Sequence, residues 1–313
     1  MTKYILKRVL IALIILIGIT IIDFEIMNAA GNPLEILAKQ PKVSAKVIER
    51  KAEIYGLDKP KYEQYFIWLK NVLHGEFGYS YKSNQPVRDM IVSHLGPTLL
   101  IMGVSMVISL VIASILGIYS AVHQHSPSDY AVVSFAFLGQ SIPSFFLSML
   151  LIYIFSIKLH LLPFSGSKTL GVSDGIEIKY MIMPVIVLVF DTLGSNIRYI
   201  RSAMLEILEK DYLRTAKAKG IGRFKVINKH GLRNALIPII TIIGMQIPEL
   251  FGGAVIVEQL FSWPGIGLLA MNAIMGRDYP VIMAVCLLSA VVVLAANLLT
   301  DIMYAVVNPT IKY

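Results

Sequence analysis

Four polar side chains lie inside long apolar stretches of the sequence and are the first candidates for chemistry. They are Gln140, Asp191, Gln246 and Glu249. An amide or carboxylate at membrane depth is destabilised unless it faces a water-filled path or a hydrogen-bonding partner. These residue types therefore leave two alternatives open: the side chains line a translocation path, or they form hydrogen bonds between helices.

A basic segment, residues 206–238, separates two apolar runs. Asp211 suits the N-cap of a short helix, because its carboxylate can accept from the free amides of the first turn. Gly220 stands where a left-handed C-terminal cap belongs, and the lysines of the last turn suit the negative end of the helix dipole. The pattern predicts a short helix over residues 211–220. A solvated basic loop and a helix lying on anionic lipid are the alternatives.

Motifs for nucleotide hydrolysis and metalloprotease chemistry are missing. There is no Gly-x-x-x-x-Gly-Lys-Ser/Thr loop and no His-Glu-x-x-His, so we expect the chain not to hydrolyse ATP and not to be a metalloprotease. His123 and His125 lie two residues apart, but two histidines without a supporting cysteine or carboxylate are a weak metal signal. We expect no catalytic residue, no metal site and no cofactor bound by this chain.

The composition is typical of a polytopic membrane protein. Of the 313 residues, 56% are hydrophobic and 15% are charged, and the mean hydropathy is +0.69. Several apolar segments reach the roughly 20 residues that cross a bilayer. The formal charge of +8 includes eight Lys and Arg residues within 210–233. Such clustering beside a span indicates the cytoplasmic side of the membrane rather than a nucleic-acid partner.

The order of apolar and polar segments predicts three regions. Residues 1–27 form a first transmembrane helix, although the apolar core at 9–22 is also the size of a cleaved signal. Residues 28–95 form an extracytoplasmic helical domain, and residues 96–313 form a five-helix core with a cytoplasmic loop at 202–234. Both termini are then cytoplasmic. The six predicted spans are residues 1–27, 98–121, 131–157, 180–201, 235–257 and 281–307.

Within the basic segment, Asp211-Tyr-Leu-Arg-Thr-Ala-Lys-Ala-Lys-Gly220 is followed by His230-Gly-Leu-Arg-Asn-Ala-Leu-Ile-Pro238. This order resembles the cytoplasmic coupling loop of ABC importer permeases, and more narrowly their oligopeptide/dipeptide branch. The general family pattern has Glu-Ala-Ala three residues before Gly. Here the Glu is absent and the later Pro lies further on, both of which are similar to the peptide branch. Trp263–Gly267 and Arg277–Pro280 carry the same resemblance, which covers nearly the whole chain.

The resemblance implies an all-α polytopic membrane protein with six transmembrane helices, like type I ABC importer permeases, and an external helical insertion between helices 1 and 2. It implies a permease subunit of an ATP-driven, binding-protein-dependent importer of oligopeptides or dipeptides in the bacterial inner membrane. The implied partners are a second homologous permease subunit, two cytoplasmic ABC ATPase subunits that use ATP and Mg, an extracytoplasmic substrate-binding protein, and the lipid bilayer. The implied ATPase-coupling residues are Asp211, Tyr212, Arg214, Thr215, Ala216, Lys217, Ala218 and Gly220.

Other functions remain open at this point. Permeases for nickel or metal chelates belong to the same branch, and no residue excludes them. A self-sufficient ion-coupled carrier or channel could use Asp191 and Glu249 without an ATPase partner. The sequence has no internal repeat, which counts against carriers built from inverted repeats.

Overall fold

The computed structural model describes residues 2–29, 59–169, 175–211, 222, 242–244, 246–247 and 254–307, without the side chains of residues 2–5 and 301–307. This part of the chain is almost entirely helical, with one isolated antiparallel bridge between Tyr79 and Pro86. The elements are α1 (Thr2–Ala29), α2 (Lys61–Leu73), α3 (Val87–Val122), α4 (Pro127–Ser141), α5 (Ser144–Leu151), a π-helical turn (Ile152–Lys158), α6 (Ile178–Leu208), α7 (Val255–Leu260), α8 (Ile266–Met275) and α9 (Tyr279–Val307).

Four helices are long and apolar enough to cross a membrane, namely α1, α3, α6 and α9. They lie at the positions of the predicted first, second, fourth and sixth spans. Most of the predicted fifth span, residues 235–257, lies outside the described residues. The described residues thus hold four spans, or five if the bent pair of helices at the third position is one span.

The third predicted span is bent. The helices Pro127–Ser141 and Ser144–Lys158 meet at 91°, and Ile142 between them is extended at φ −85° and ψ 116°. Pro143 explains the break, because proline has no N–H for the helix ladder and disfavours helical backbone in the residue before it.

The predicted extracytoplasmic region contributes α2, which lies against the end of α1. The hydroxyls of Thr20 and Tyr65 are 2.9 Å apart, and the ring of Phe24 lies 5.5 Å from Tyr65 and 6.0 Å from Trp68. Residues 30–58 of this region lie outside the described residues. Elsewhere α1 exposes a long apolar surface, including Leu6, Leu10 and Ile14, as expected for a helix in contact with lipid.

The core forms where α3 and α4 pack on α6. A Cβ at Gly117 of α3 would lie 3.0 Å from the carbonyl oxygen of Ile197, and a Cβ at Gly194 of α6 would collide with the carbonyl of Ala136 in α4. Glycine at both positions lets the helix backbones approach closely, as is common between membrane helices. These contacts cover two sides of α6 and leave a third side open.

The region after residue 260, predicted as a loop between two spans, contains the ten-residue helix α8. Trp263, at the turn before it, is completely buried. Its indole Nε1 donates to the carbonyl of Pro97 at 3.0 Å. The sequence predicts no helix between the fifth and sixth spans. The apolar run of α8 is only ten residues long and lies between two turns that contain glycine.

Candidate functional site

The open side of α6 carries a stripe of polar side chains, which we call the polar face. Its exposed members recur at intervals of four, four, three and four residues, which is one face of a helix. They are Asp191, Ser195, Tyr199, Ser202 and Glu206. The sides of α6 that pack on α3 and α4 are mostly apolar, and their polar side chains, such as Asn196 and Arg201, have hydrogen-bond partners there. The polar face is therefore the exposed polar surface of a membrane-spanning helix.

Arg198 stands at the edge of the polar face, beside α4. Its Nη2 donates to Gln140 Oε1 at 2.5 Å, and its guanidinium lies 4.8 Å from the centre of the Phe137 ring. Its Nε is buried and has no hydrogen-bond partner within the described residues. Two of the path residues predicted from the sequence thus belong to this surface. Asp191 is part of the polar face itself, and Gln140 adjoins it by its hydrogen bond to Arg198.

Asp191 is exposed on α6, and none of the described residues forms a hydrogen bond or ion pair with its carboxylate. It lies seven residues before Arg198, which is two helical turns, so both point to the same side of α6 about 10 Å apart along the axis. A carboxylate without a partner is unstable against hydrocarbon. The face it occupies must therefore contact water, a ligand or another subunit.

Gln246 lies in a different environment. Its Nε2 donates to Asn196 Oδ1 at 2.9 Å, and Asn196 donates in turn to the hydroxyl of Ser109 at 3.1 Å. Asn196 is buried on the side of α6 that faces α3, so Gln246 joins a hydrogen-bonded chain between helices. Glu249, the fourth residue predicted for the path, lies outside the described residues.

A buried ion pair ties α6 to α3 and α4 near one end of the bundle. The Arg201 guanidinium donates to both carboxylate oxygens of Asp129 at 2.8 Å, and its Nε also donates to Ser120 at 3.0 Å. Asp129 further accepts from the backbone N–H of His125 at 3.0 Å. The side chains are 22% and 3% exposed, so this bidentate pair is held away from solvent. We call this end of the bundle the ion-pair end.

The helix α6 continues beyond the ion pair to Leu208, and Asp211 follows as an exposed helical residue. The predicted coupling residues from Tyr212 to Gly220 lie outside the described residues. The ion pair is therefore the last described hydrogen-bonded contact of α6 with another helix before the predicted coupling segment, and apolar packing of Ala121 on Met204 and Ile207 continues beyond it. Sequence reasoning missed it, although Asp129 and Arg201 both stand at the ends of predicted spans.

A second buried acid, Glu258 of α7, also escaped the sequence analysis. It is fully buried. Its carboxylate accepts hydrogen bonds from the Thr98 hydroxyl and from the Leu268 N–H, each at 2.9 Å. Burial raises the pKa of this carboxyl above its usual value, against the opposing effect of its hydrogen bonds. A Cβ at Gly265 or Gly267 would meet the carboxylate itself. The two glycines of the Trp263–Gly267 motif are the signal that could have located it.

Asp278, just before α9, is a third buried acid. It accepts from the Ser80 hydroxyl and from the N–H of Tyr81. The Arg277–Pro280 motif thus fixes the segment before α3 against the start of α9. Within the described residues no three His, Cys, Asp or Glu side chains are grouped to bind a metal.

Two family descriptions match this chain and together include almost all of it. The binding-protein-dependent transport system inner membrane component matches residues 113–313, and the N-terminal part of the membrane component of such systems matches residues 1–102. This chain belongs to that family. Members are permease subunits of ABC importers and are not themselves ATPases, and they work with ATPase and substrate-binding partners. The predicted family resemblance and integral membrane character are confirmed.

Individual relatives of this permease align over its whole length. It is 44% identical over 317 residues to the oligopeptide transport system permease protein AppB of Bacillus subtilis, with 100% of both chains covered. It is 37% identical over 314 residues to the glutathione transport system permease protein GsiC of Escherichia coli K12, again with 100% of both covered.

A solved structure shows the same fold. The crystal structure of an amino acid ABC transporter with histidines superposes with a TM-score of 0.51 at 15% identity, over 69% of this chain and 92% of the other. That likeness confirms the predicted all-α, ABC permease-like fold.

Proposed function

We propose that this permease is one transmembrane subunit of an ATP-driven importer of short peptides. It pairs with a second homologous permease subunit, with two cytoplasmic ATPase subunits that use ATP and Mg, and with an extracytoplasmic substrate-binding protein. The full-length match at 44% identity to an oligopeptide permease supports the peptide substrate. The match to a glutathione permease supports it further, since glutathione is a tripeptide.

The polar face of α6 is the single structural observation that carries this proposal. A membrane-spanning helix with exposed Asp191, Ser195 and Ser202 requires water or a polar partner beside it. A translocation path shared between two permease subunits supplies both. In this arrangement Gln140 and Asp191 line the path of this subunit, and Glu249 is a further candidate. Gln246 does not line the path, because it forms a hydrogen bond between helices with Asn196.

The ion-pair end is the cytoplasmic end in this proposal, with both termini on the same side of the bacterial inner membrane. The short helix at 211–220 docks on an ATPase subunit. Closure of the ATPase pair on ATP displaces that helix, and α6 carries the displacement into the membrane. The Asp129–Arg201 pair supports this role because it joins α6 to α3 and α4 near the proposed docking helix.

Purification of the chain from its native membranes, followed by reconstitution in liposomes, tests the proposal. We expect two ATPase subunits and a second permease subunit to copurify, and uptake of a labelled tripeptide to require ATP, Mg and the substrate-binding protein. Uptake of a nickel chelate in place of peptide would contradict the substrate assignment. Transport by the chain alone on an ion gradient would contradict the whole assignment.

A further inference from the structure

The polar face of α6 carries two residues of opposite charge, Asp191 and Arg198. They lie two turns apart on the same side of the helix, which places their Cα atoms about 10 Å apart along its axis. Ser195, one turn from Asp191, is small and exposed, so the surface between the charges is open. A short peptide with free ends also carries one positive and one negative charge. About three extended residues span this 10 Å separation.

Both charges have unused capacity for a ligand. Asp191 has no hydrogen-bond partner among the described residues. The Arg198 guanidinium donates to Gln140 from Nη2, and the Phe137 ring supports its plane at 4.8 Å. Its Nε is buried and closed to a ligand, but its Nη1 hydrogens have no acceptor in the part of the chain that the structure describes. Gln140 and Phe137 thus hold the guanidinium in place and still leave it able to bind a carboxylate.

We propose that the polar face of α6 binds both ends of a short peptide. Asp191 accepts from the N-terminal ammonium, and Arg198 donates to the C-terminal carboxylate. This inference rests on the proposed function, because it assigns the substrate contacts of the proposed path. Arg198 lies nearer than Asp191 to the ion-pair end, which is cytoplasmic in the proposal. The peptide therefore crosses with its C-terminus leading.

The direct experiment compares free, N-acetylated and C-amidated trialanine in the reconstituted complex. Each peptide is supplied at a concentration that saturates the substrate-binding protein, so that the maximal uptake rate reports on the permease. Removing one charged hydrogen-bond partner should slow uptake about tenfold. In the unaltered complex we expect the free peptide to be faster than either capped form by this factor.

The variants assign each end of the peptide to one residue. Asp191→Asn should slow the free peptide to the rate of its N-acetylated form and leave that form unchanged. Arg198→Gln should slow the free peptide to the rate of its C-amidated form and leave that form unchanged. Arg198→Lys should restore part of the difference in rate between the free and C-amidated peptides. Asp23→Asn is the matched control, because it removes a carboxylate from α1, and it should retain the full discrimination.

Several results would overturn the inference while leaving the proposed function intact. Equal uptake of free and capped peptides by the unaltered complex is one, and persistent discrimination against N-acetylation in Asp191→Asn is another. Loss of the second permease subunit from purified Asp191→Asn would make Asp191 a subunit contact instead. Failure of the unaltered complex to take up any peptide would contradict the proposed function itself.

A second measurement does not depend on the substrate-binding protein. Asp191→Cys, made together with Cys286→Ser, is treated with a cationic methanethiosulfonate reagent in the purified complex. We expect labelling that free trialanine slows more strongly than C-amidated trialanine, because Arg198 remains in this variant and still binds a free C-terminal carboxylate beside residue 191. Absence of labelling, or equal protection by free and C-amidated trialanine, would show that this face does not bind the peptide ends.

Discussion

The buried carboxylate of Glu258 explains the two glycines of the Trp263–Gly267 motif. Glu258 stands in the first turn of α7 and binds the turn that leads into α8. Thr98 lies between them, because its hydroxyl donates to Glu258 and accepts from the Ile266 N–H at 2.7 Å. A buried polar group of this kind is stabilising only while every partner is satisfied.

Replacing Thr98 by valine tests this arrangement, since the two side chains have nearly the same volume. Thr98→Val leaves the Ile266 N–H and one Glu258 oxygen without their partner, which we expect to destabilise the protein by about 1–3 kcal/mol. The thermal midpoint of the purified protein measures the change. Ser105→Ala is the control, because the buried Ser105 hydroxyl donates only to Ile101 of its own helix. Equal midpoints for the two variants would contradict the role of Thr98.

At the scale of helices, the ion pair links α3, α4 and α6 at one place. The bidentate contact between Arg201 and Asp129 is reinforced by Ser120 at the end of α3 and by the backbone of His125. Four hydrogen-bonding groups from three segments therefore converge on one carboxylate. A displacement of α6 at this level must be shared by all three helices or break the pair.

Breaking the pair should uncouple the helices. Removing one member of a buried pair costs about 3–5 kcal/mol, because the other charge is left buried. We expect Asp129→Ala and Arg201→Ala each to lower the thermal midpoint and the peptide taken up per ATP hydrolysed. The double variant should lose less stability than the sum of the two single variants.

The exposed pair between Glu206 and Lys210 provides the control. It has the same 2.8 Å separation as the buried pair, but the Glu206 side chain is 74% exposed and the Lys210 side chain 51%. Glu206→Gln should change stability by no more than about 0.5 kcal/mol, as is usual for such pairs within one helix. Strictly additive losses at Asp129 and Arg201, or a comparable loss at Glu206, would show that the buried pair does not act as a unit.

At the scale of the whole molecule, we propose that coupling depends on the predicted helix at 211–220 and its docking on an ATPase subunit. The predicted helix at 211–220 is capped at both ends by its sequence, and small residues around Gly220 allow close approach. Gly220→Leu should obstruct docking and uncouple ATP hydrolysis from uptake, because a branched side chain would separate the two surfaces.

The ratio of peptide transported to ATP hydrolysed measures this effect. We expect the ratio to fall by at least tenfold, which corresponds to about 1.4 kcal/mol of lost coupling. Gly222→Ala is the neighbouring control, since nothing lies within 4 Å of a Cβ at that position. Normal coupled uptake by Gly220→Leu would contradict the docking model.

The sequence by itself determined the fold class, the positions of most spans and the family. Hydropathy and the length of an apolar run are local properties, so α1, α3, α6 and α9 could be predicted without knowing their neighbours. The order of residues at 211–220, 263–267 and 277–280 was sufficient to indicate the ABC permease family, which the whole-length matches confirmed.

Only the tertiary structure decided what each polar residue contacts. Asp191 and Gln246 are alike in the sequence, since each is one polar residue in an apolar stretch. The structure leaves Asp191 exposed and gives Gln246 a partner in Asn196. Likewise the sequence by itself indicates no role for Glu258, but Thr98, 160 residues away, and the Gly265–Gly267 turn enclose it in the structure. The side of a helix that becomes polar surface is the one its neighbours leave uncovered, and that depends on contacts between residues far apart in the chain.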